Sequence, residues 1–413
     1  MQWALLLLVL VSWFDATAQT VTAVRFRKLW DGDRVIDGAL VVIESGRIRS
    51  VQGGDPRPPT GADVIDWSHY YGIAGMIDVH THLTYVLDMD HISQAGRGAA
   101  RVYMSRDNAK KTLETGVTAV RNLGASNYED IAMRDLINAG LMVGPRMYVS
   151  GYGLHITRAG PVSPQTADGP AEVMKVVRQQ IAAGADVVKM YGSTGTGDDV
   201  TGFQTFTYEE MKAAVDAAHA LGKTIAIHTY GPSGARDAVR AGADSIEHAT
   251  DMDDETIAEM ARRGIFYVPT IDHNRYYVDN AQLLHYPPSS IGPLNDFITR
   301  NLETAKKAFR AGVRFAMGSD AVYTMFGQNT RELAWFVKAG MTPEQSLEAA
   351  TVNGADLLHK ANDLGRVTPA HYADLVALDG DPLANIDVAI NKVRGVMKDG
   401  VVVVKPDRQP SPE

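Results

Sequence analysis

"EVMKVVRQQIAAGADVVKMYG", residues 172–192, holds one complete structural unit. Val173, Val176, Val177 and Ile181 recur at helical spacing, so residues 172–183 read as a helix with one apolar stripe. Gly184 follows as the glycine expected just past a helix C-terminus. Asp186 turns the chain into a short β-branched run, Val187-Val188, which reads as a strand buried on both faces. The run closes on Lys189, whose ammonium would be costly to desolvate there.

The same unit returns along the chain. Helical stretches ending in Gly lead into "TGVTAVRN" (115–122), "VGPRMYVSG" (143–151), "LGKTIAIH" (221–228), "AGADSIEH" (241–248), "RGIFYVPT" (263–270) and "AGVRFAMGSD" (311–320). With "GIAGMIDVHTH" (72–82) in front, there are eight runs. Strands alternating with helices imply parallel pairing, and eight units predict an α/β fold, a (β/α)8 TIM barrel over residues 76–364. The flanks differ: residues 19–75 and 365–405 hold short strands joined by Asp-Gly and Ser-Gly turns. Neither flank can bury a core alone, so one small discontinuous β-sandwich domain built from both chain ends is expected. The final "PDRQPSPE", residues 406–413, reads as a disordered tail.

Composition narrows the function. The 413 residues are 45% hydrophobic and 22% charged, ordinary for a globular protein. A net charge of −9 argues against a nucleic-acid partner. With no cysteine, disulfides, thiolate metal sites and a cysteine nucleophile are excluded. Residues 1–18 carry an apolar run from Ala4 to Phe14 and an Ala16-Thr17-Ala18 cleavage pattern, too short to span a bilayer. They read as a signal peptide, so the mature chain is expected in a secreted or periplasmic location and off the membrane.

In a barrel the active site lies at the C-terminal ends of the strands, so the residue closing each run decides the chemistry. The first run ends in His80-Thr81-His82, the fourth in Lys189, the fifth in His228, the sixth in His248 and the eighth in Ser319-Asp320. Period-two spacing puts His80 and His82 on one side of a strand, where they can grip one ion together. The set of four histidines and Asp320 suits Zn²⁺, with Mn²⁺, Co²⁺ or Ni²⁺ as other candidates. Five ligands exceed what one catalytic zinc takes, which suggests two ions and a bridging group. His69, His91, His219, His273, His285, His359 and His371 read as histidines hydrogen-bonded in polar loops.

"GMIDVHTHL", "GADVVKMYG", "IAIHTYG", "SIEHA" and "AMGSDA" resemble, in order and spacing, the metal motifs of the amidohydrolase superfamily. The resemblance implies that Lys189 is N-carboxylated by CO₂ and that its carbamate bridges two ions. It assigns His80, His82 and Asp320 to one ion, and His228 and His248 to the other. A water held between two cations loses its proton near neutral pH and attacks the substrate carbonyl. Asp320 would take the proton and return it to the leaving amine.

"KTLETGVTAVRNLG" and "HTYGPSGARDAVRAGADSIEHA" are similar to the imidazolonepropionase-related arm of that superfamily. This arm holds secreted prolidases, carboxypeptidases and ochratoxin-hydrolysing enzymes. It implies hydrolysis of an amide or peptide bond beside a free carboxylate, in a dipeptide, an N-acyl amino acid or ochratoxin A. Tyr230 would hold that carboxylate and His155 would line the pocket. Where that arm usually reads Gly-Gly-His, this chain reads Arg158-Ala159-Gly160. Its second run ends Val120-Arg121-Asn122 rather than V-R-D, which leaves the role of that strand end open. The aromatic-rich loop 270–290 would shape the pocket or a subunit contact. Relatives in ring-like assemblies imply a homo-oligomer, such as an octamer. The competing readings are a mononuclear deaminase or lactam hydrolase acting on a cyclic substrate, and a non-catalytic metal- or solute-binding protein.

Overall fold

The computed structural model describes residues 21–87, 92–93, 96–157, 165–194 and 201–406. The signal segment, His91, Arg158-Ala159-Gly160 and residues 407–413 of the tail lie outside them.

The chain opens with four strands, Thr22–Trp30 (β1), Val35–Glu44 (β2), Arg47–Gln52 (β3) and Asp63–Ala74 (β4). Eight further strands alternate with helices: Met76–Thr81 (β5), Val117–Asn122 (β6), Arg146–Val149 (β7), Val187–Tyr191 (β8), Thr224–Thr229, Ser245–His248, Phe266–Val268 and Arg314–Phe315. A two-residue ribbon, Ser193–Thr194 (β9) with Phe203–Gln204 (β10), precedes the last four of these, which are therefore β11, β12, β13 and β14. Leu375–Leu378 (β15), Val393–Lys398 (β16) and Val401–Val404 (β17) close the described chain.

All pairings among the eight alternating strands are parallel, in the orders β5-β6-β7 and β8-β11-β12-β13-β14. Every residue of β5, β6 and β12 is buried, as expected of strands covered on both faces. Backbone hydrogen bonds lace the two groups together at both ends. Val79 N–H donates to Met317 at 2.8 Å and Asp320 N–H to His80 at 2.7 Å. On the other side, Asp186 N–H donates to Val149 at 2.7 Å and Leu154 N–H to Lys189 at 2.9 Å. Gly242 and Gly264 sit in the left-handed conformation at helix C-termini, where the sequence places them.

The remaining strands form one seven-stranded sheet in the order β17-β16-β15-β4-β1-β2-β3. It draws on both chain ends, with β4 between β1 and β15. Val24, Phe26, Val41, Ile43, Trp67, Leu375 and Met397 give it a core of its own. Trp30, Tyr71 and Ile73 instead join Met76 and Val117 in the main core, which ties the sheet to the parallel strands.

One expectation is corrected. Residues 270–290 are not a plain loop: Ile271–Asp279 is a helix, and a second helix starts at Ile291. Glu332 caps the first helix, its two carboxyl oxygens accepting the N–H groups of Ile271 and Asp272 at 2.9 and 2.8 Å. Those are orphan donors at a helix N-terminus, satisfied here by a side chain from a distant part of the chain.

Candidate active site

The parallel strands deliver their closing residues to one place. The ligand atoms of His80, His82 and Asp320 all lie within 4.8 Å of one another, and all three residues are buried. His82 Nε2 stands 3.1 Å and His80 Nε2 3.5 Å from Asp320 Oδ1. Lys189 Nζ is 3.2 Å from His80 Nε2. His248 packs on His80 and on His228, with ring centroids 4.9 and 4.5 Å apart. Tyr230 meets the His228 ring edge-on at 4.3 Å. His155 stacks at 4.1 Å on Tyr191, whose ring lies 5.3 Å from His228. Every described residue singled out from the sequence is therefore in one cluster or at its edge.

The backbone is bent to achieve this. His248, Thr270 and Asp320 have φ of 71°, 50° and 51°, a left-handed region that non-glycine residues seldom adopt. Buried Asp78 holds the Asp320 segment in register. It accepts the Ser319 N–H at 2.9 Å and Oγ–H at 2.6 Å, the His80 N–H at 3.2 Å and the Asn329 amide at 2.9 Å.

Gly318 lets the two strands approach, since a Cβ there would stand 2.5 Å from Val268 Cγ1 and 2.7 Å from His80 Cβ. Gly318→Ala is expected to cost about 1–3 kcal/mol in urea unfolding, the usual penalty for overpacking a rigid site. An unchanged midpoint would mean that His80 can move aside.

Two charged residues within the buried runs orient the centre, and neither was singled out as a site residue from sequence. His80 Nδ1 lies 2.7 Å from Glu247 Oε2. Arg121, fully buried, donates to Glu247 Oε1 at 2.9 Å, to Ser245 Oγ at 3.0 Å and to the Val79 carbonyl. With an acceptor at Nδ1, the proton of a neutral His80 sits there, and the Nε2 lone pair faces Lys189 and Asp320. His82 is turned the same way by the Gly124 carbonyl, 3.3 Å from its Nδ1. The open end of the second run is thereby explained in part. Asn122 accepts the Leu83 N–H at 2.7 Å and fixes the chain just beyond His82.

The electrostatics fit a cation. Burial, helped by the Lys189 charge, lowers His80 to about 4, and burial holds His228 and His248 well below their usual value. Burial would raise Asp320, but the His273, His80, His82 and His248 rings outweigh it and keep the carboxylate ionised. Burial also lowers Lys189 to about 8, against the pull of Glu247 and Asp320. Neutral imidazole lone pairs and a carboxylate thus converge in a dry site, which is the donor set of a divalent metal.

His273 is a second correction. Instead of serving a polar loop, it is buried with Nε2 3.3 Å from Asp320 Oδ2. His371, by contrast, does find a partner within its own turn, Thr368, while His219 lies in the helix Tyr208–Ala220 rather than a loop and meets Asp244. Tyrosines also line the cluster: Tyr85 stacks on His82 at 4.6 Å, and its hydroxyl is hydrogen-bonded to that of Tyr191.

The amidohydrolase family model matches residues 71–403, a span holding all of these side chains. The chain belongs to the amidohydrolase family. Within that family it is similar to an ochratoxinase from Aspergillus niger, 30% identical over 309 residues, which covers 67% of this chain and 63% of that one. The chain thus spans less than two thirds of that relative's length. It is also similar to an imidazolonepropionase from Geobacillus sp. (strain WCH70), 24% identical over 420 residues with 91% and 92% covered. Among solved amidohydrolase folds, a Xaa-Pro dipeptidase with bound methionine in its active site superposes with a TM-score of 0.85. That pair is 28% identical, with 93% of this chain and 100% of the other covered.

Proposed function

We propose that this amidohydrolase is a binuclear metal-dependent hydrolase cleaving an amide or peptide bond beside a free carboxylate. Its substrates would be dipeptides or N-acyl amino acids, in the manner of a Xaa-Pro dipeptidase, a carboxypeptidase or an ochratoxinase. The observation that carries this is the convergence of four imidazoles, Asp320 and a buried Lys189 at the C-terminal ends of parallel strands. The hydrogen bonds at both strand seams support one closed (β/α)8 barrel over residues 76–364. The separate core of the outer sheet supports a β-sandwich domain from residues 19–75 and 365–405.

His80, His82 and Asp320 would hold one ion, His228 and His248 the other, and a carbamate on Lys189 would bridge them. Two Zn²⁺ ions in those positions supply a Lewis acid for the carbonyl and lower the pKa of water. Asp320, ionised and within reach of the cluster, accepts a proton from the attacking water and passes it to the leaving nitrogen. Tyr230 can donate its hydroxyl to the substrate carboxylate, since burial keeps that phenol protonated well above the usual range. His155 and the tyrosines present aromatic faces to the rest of the substrate. The signal segment favours secretion or a periplasmic location, and a homo-oligomer is proposed with it.

The test is a screen of purified, metal-loaded protein against N-acyl amino acids and dipeptides ending in proline, methionine, phenylalanine or arginine. Two ions per chain and release of a free amino acid are expected. A second reading is a mononuclear hydrolase of a cyclic substrate. It is favoured by the compact His80–His82–Asp320 group and by the imidazolonepropionase relative. A single ion per chain, with turnover only of lactam-type rings, would decide for it.

A further inference from the structure

We infer that His273 is a positioning residue for Asp320, holding one carboxylate oxygen so that the other is presented to His80 and His82. The inference rests on the reading of Asp320 as a metal ligand. The two oxygens have different neighbours. Oδ1 faces His82 Nε2 at 3.1 Å and His80 Nε2 at 3.5 Å, while Oδ2 faces His273 Nε2 at 3.3 Å. His248 Nδ1 is also 3.9 Å from Oδ2, but that nitrogen is engaged by the Thr270 hydroxyl at 2.6 Å. His273 is therefore the ring placed to fix the carboxylate plane. Its Nδ1 is buried and has no hydrogen-bond partner among the described residues. A neutral ring then carries its one proton on Nε2, which faces Asp320 at Oδ2 and at its backbone carbonyl.

The support beneath His273 is rigid. Glu332 pins the first turn of its helix through the Ile271 and Asp272 N–H groups. The Asp272 side chain is clamped by Arg275 at 2.8 and 2.9 Å and by the Trp335 indole at 2.9 Å. Tyr277 packs edge-on against the imidazole at 4.4 Å. A site residue carried on a well-anchored helix can hold a partner within the narrow tolerance that metal geometry demands.

The test compares His273→Ala, His273→Asn and His273→Gln in the full chain. Zn²⁺ affinity is measured against a chromophoric chelator, thermal unfolding is recorded, and kcat and KM are taken on whichever substrate wild type hydrolyses. Glutamine can place an amide N–H where imidazole Nε2 was, whereas asparagine places it near Nδ1. Alanine and asparagine are expected to weaken Zn²⁺ binding at the His80–His82–Asp320 position by about 10–100-fold, as loss of an outer partner does, and to lower kcat rather than raise KM. Glutamine should recover most of both at a similar melting temperature. Unchanged Zn²⁺ affinity in His273→Ala, or glutamine no better than alanine, would overturn the inference. If wild type binds Zn²⁺ but hydrolyses nothing, the proposed function fails while the affinity series still decides the role of His273. If wild type binds no Zn²⁺, both fall.

Discussion

Replacing Lys189 with alanine is expected to leave a folded chain that retains less metal and turns over at least about 10²-fold more slowly. Losing only an outer partner of a metal site already reaches that figure. Lys189 is buried at 1% exposure with Nζ 3.2 Å from an imidazole nitrogen, a poor place for an ammonium. Burial lowers it to about 8, so about a tenth of the amine is neutral at pH 7, against about three in ten thousand at the ordinary 10.5. The neutral amine is the form that can combine with CO₂. Elemental analysis of dialysed protein measures the metal, and added acetate or propionate should restore part of both metal and activity. The metal-free Lys189→Met variant should melt no lower than metal-free wild type, because an apolar side chain replaces a buried charge. Full metal retention in Lys189→Ala without added carboxylate would remove the lysine from the centre.

The second large effect is expected at Glu247. Glu247→Ala leaves the Arg121 guanidinium buried and unpaired, which costs about 3–5 kcal/mol when one partner of a buried ion pair is removed. It also frees the His80 ring to flip, so metal affinity should fall by about 10–100-fold in the same variant. Burial alone would raise Glu247, but Arg121 and His80 overcome it and hold the carboxyl at about 2, below the ordinary 4.5. A lowered folded pKa gives stability that is present above pH 4.5 and lost as pH falls toward 2. Urea melts between pH 7 and 3 should therefore show wild type losing stability faster on acidification than Glu247→Gln. Parallel curves for the two would mean that Glu247 is not charged in the fold.

The centre was legible where chemistry sits at the ends of strands. Period two put His80 and His82 on one side, and the repeated helix–glycine–strand unit aligned Lys189, His228, His248 and Asp320. The partners of those residues were harder to find, although two of them left a signal. Arg121 and Glu247 are opposite charges inside runs read as doubly buried, and such charges must meet. His273 left none: it lies three residues past its run, in a helix whose N-terminus is capped by a distant Glu332. Tertiary contacts of that kind have no local spacing to read. The outer sheet was legible as strands, while its order was set by the pairing of β4 with β15 across most of the chain.

That outer sheet also governs how the chain must be made. β4 is flanked by β1 within the first seventy-odd residues, but its other edge waits for Leu375–Leu378. During synthesis a hydrophobic strand edge therefore stays bare while some three hundred residues emerge, and bare edges invite pairing with other chains. Closing a contact of such sequence separation is slow. Folding yield, more than the stability of the finished protein, should hence depend on the few residues of β15. A nascent chain stalled before Leu375 should aggregate even with every metal ligand already translated.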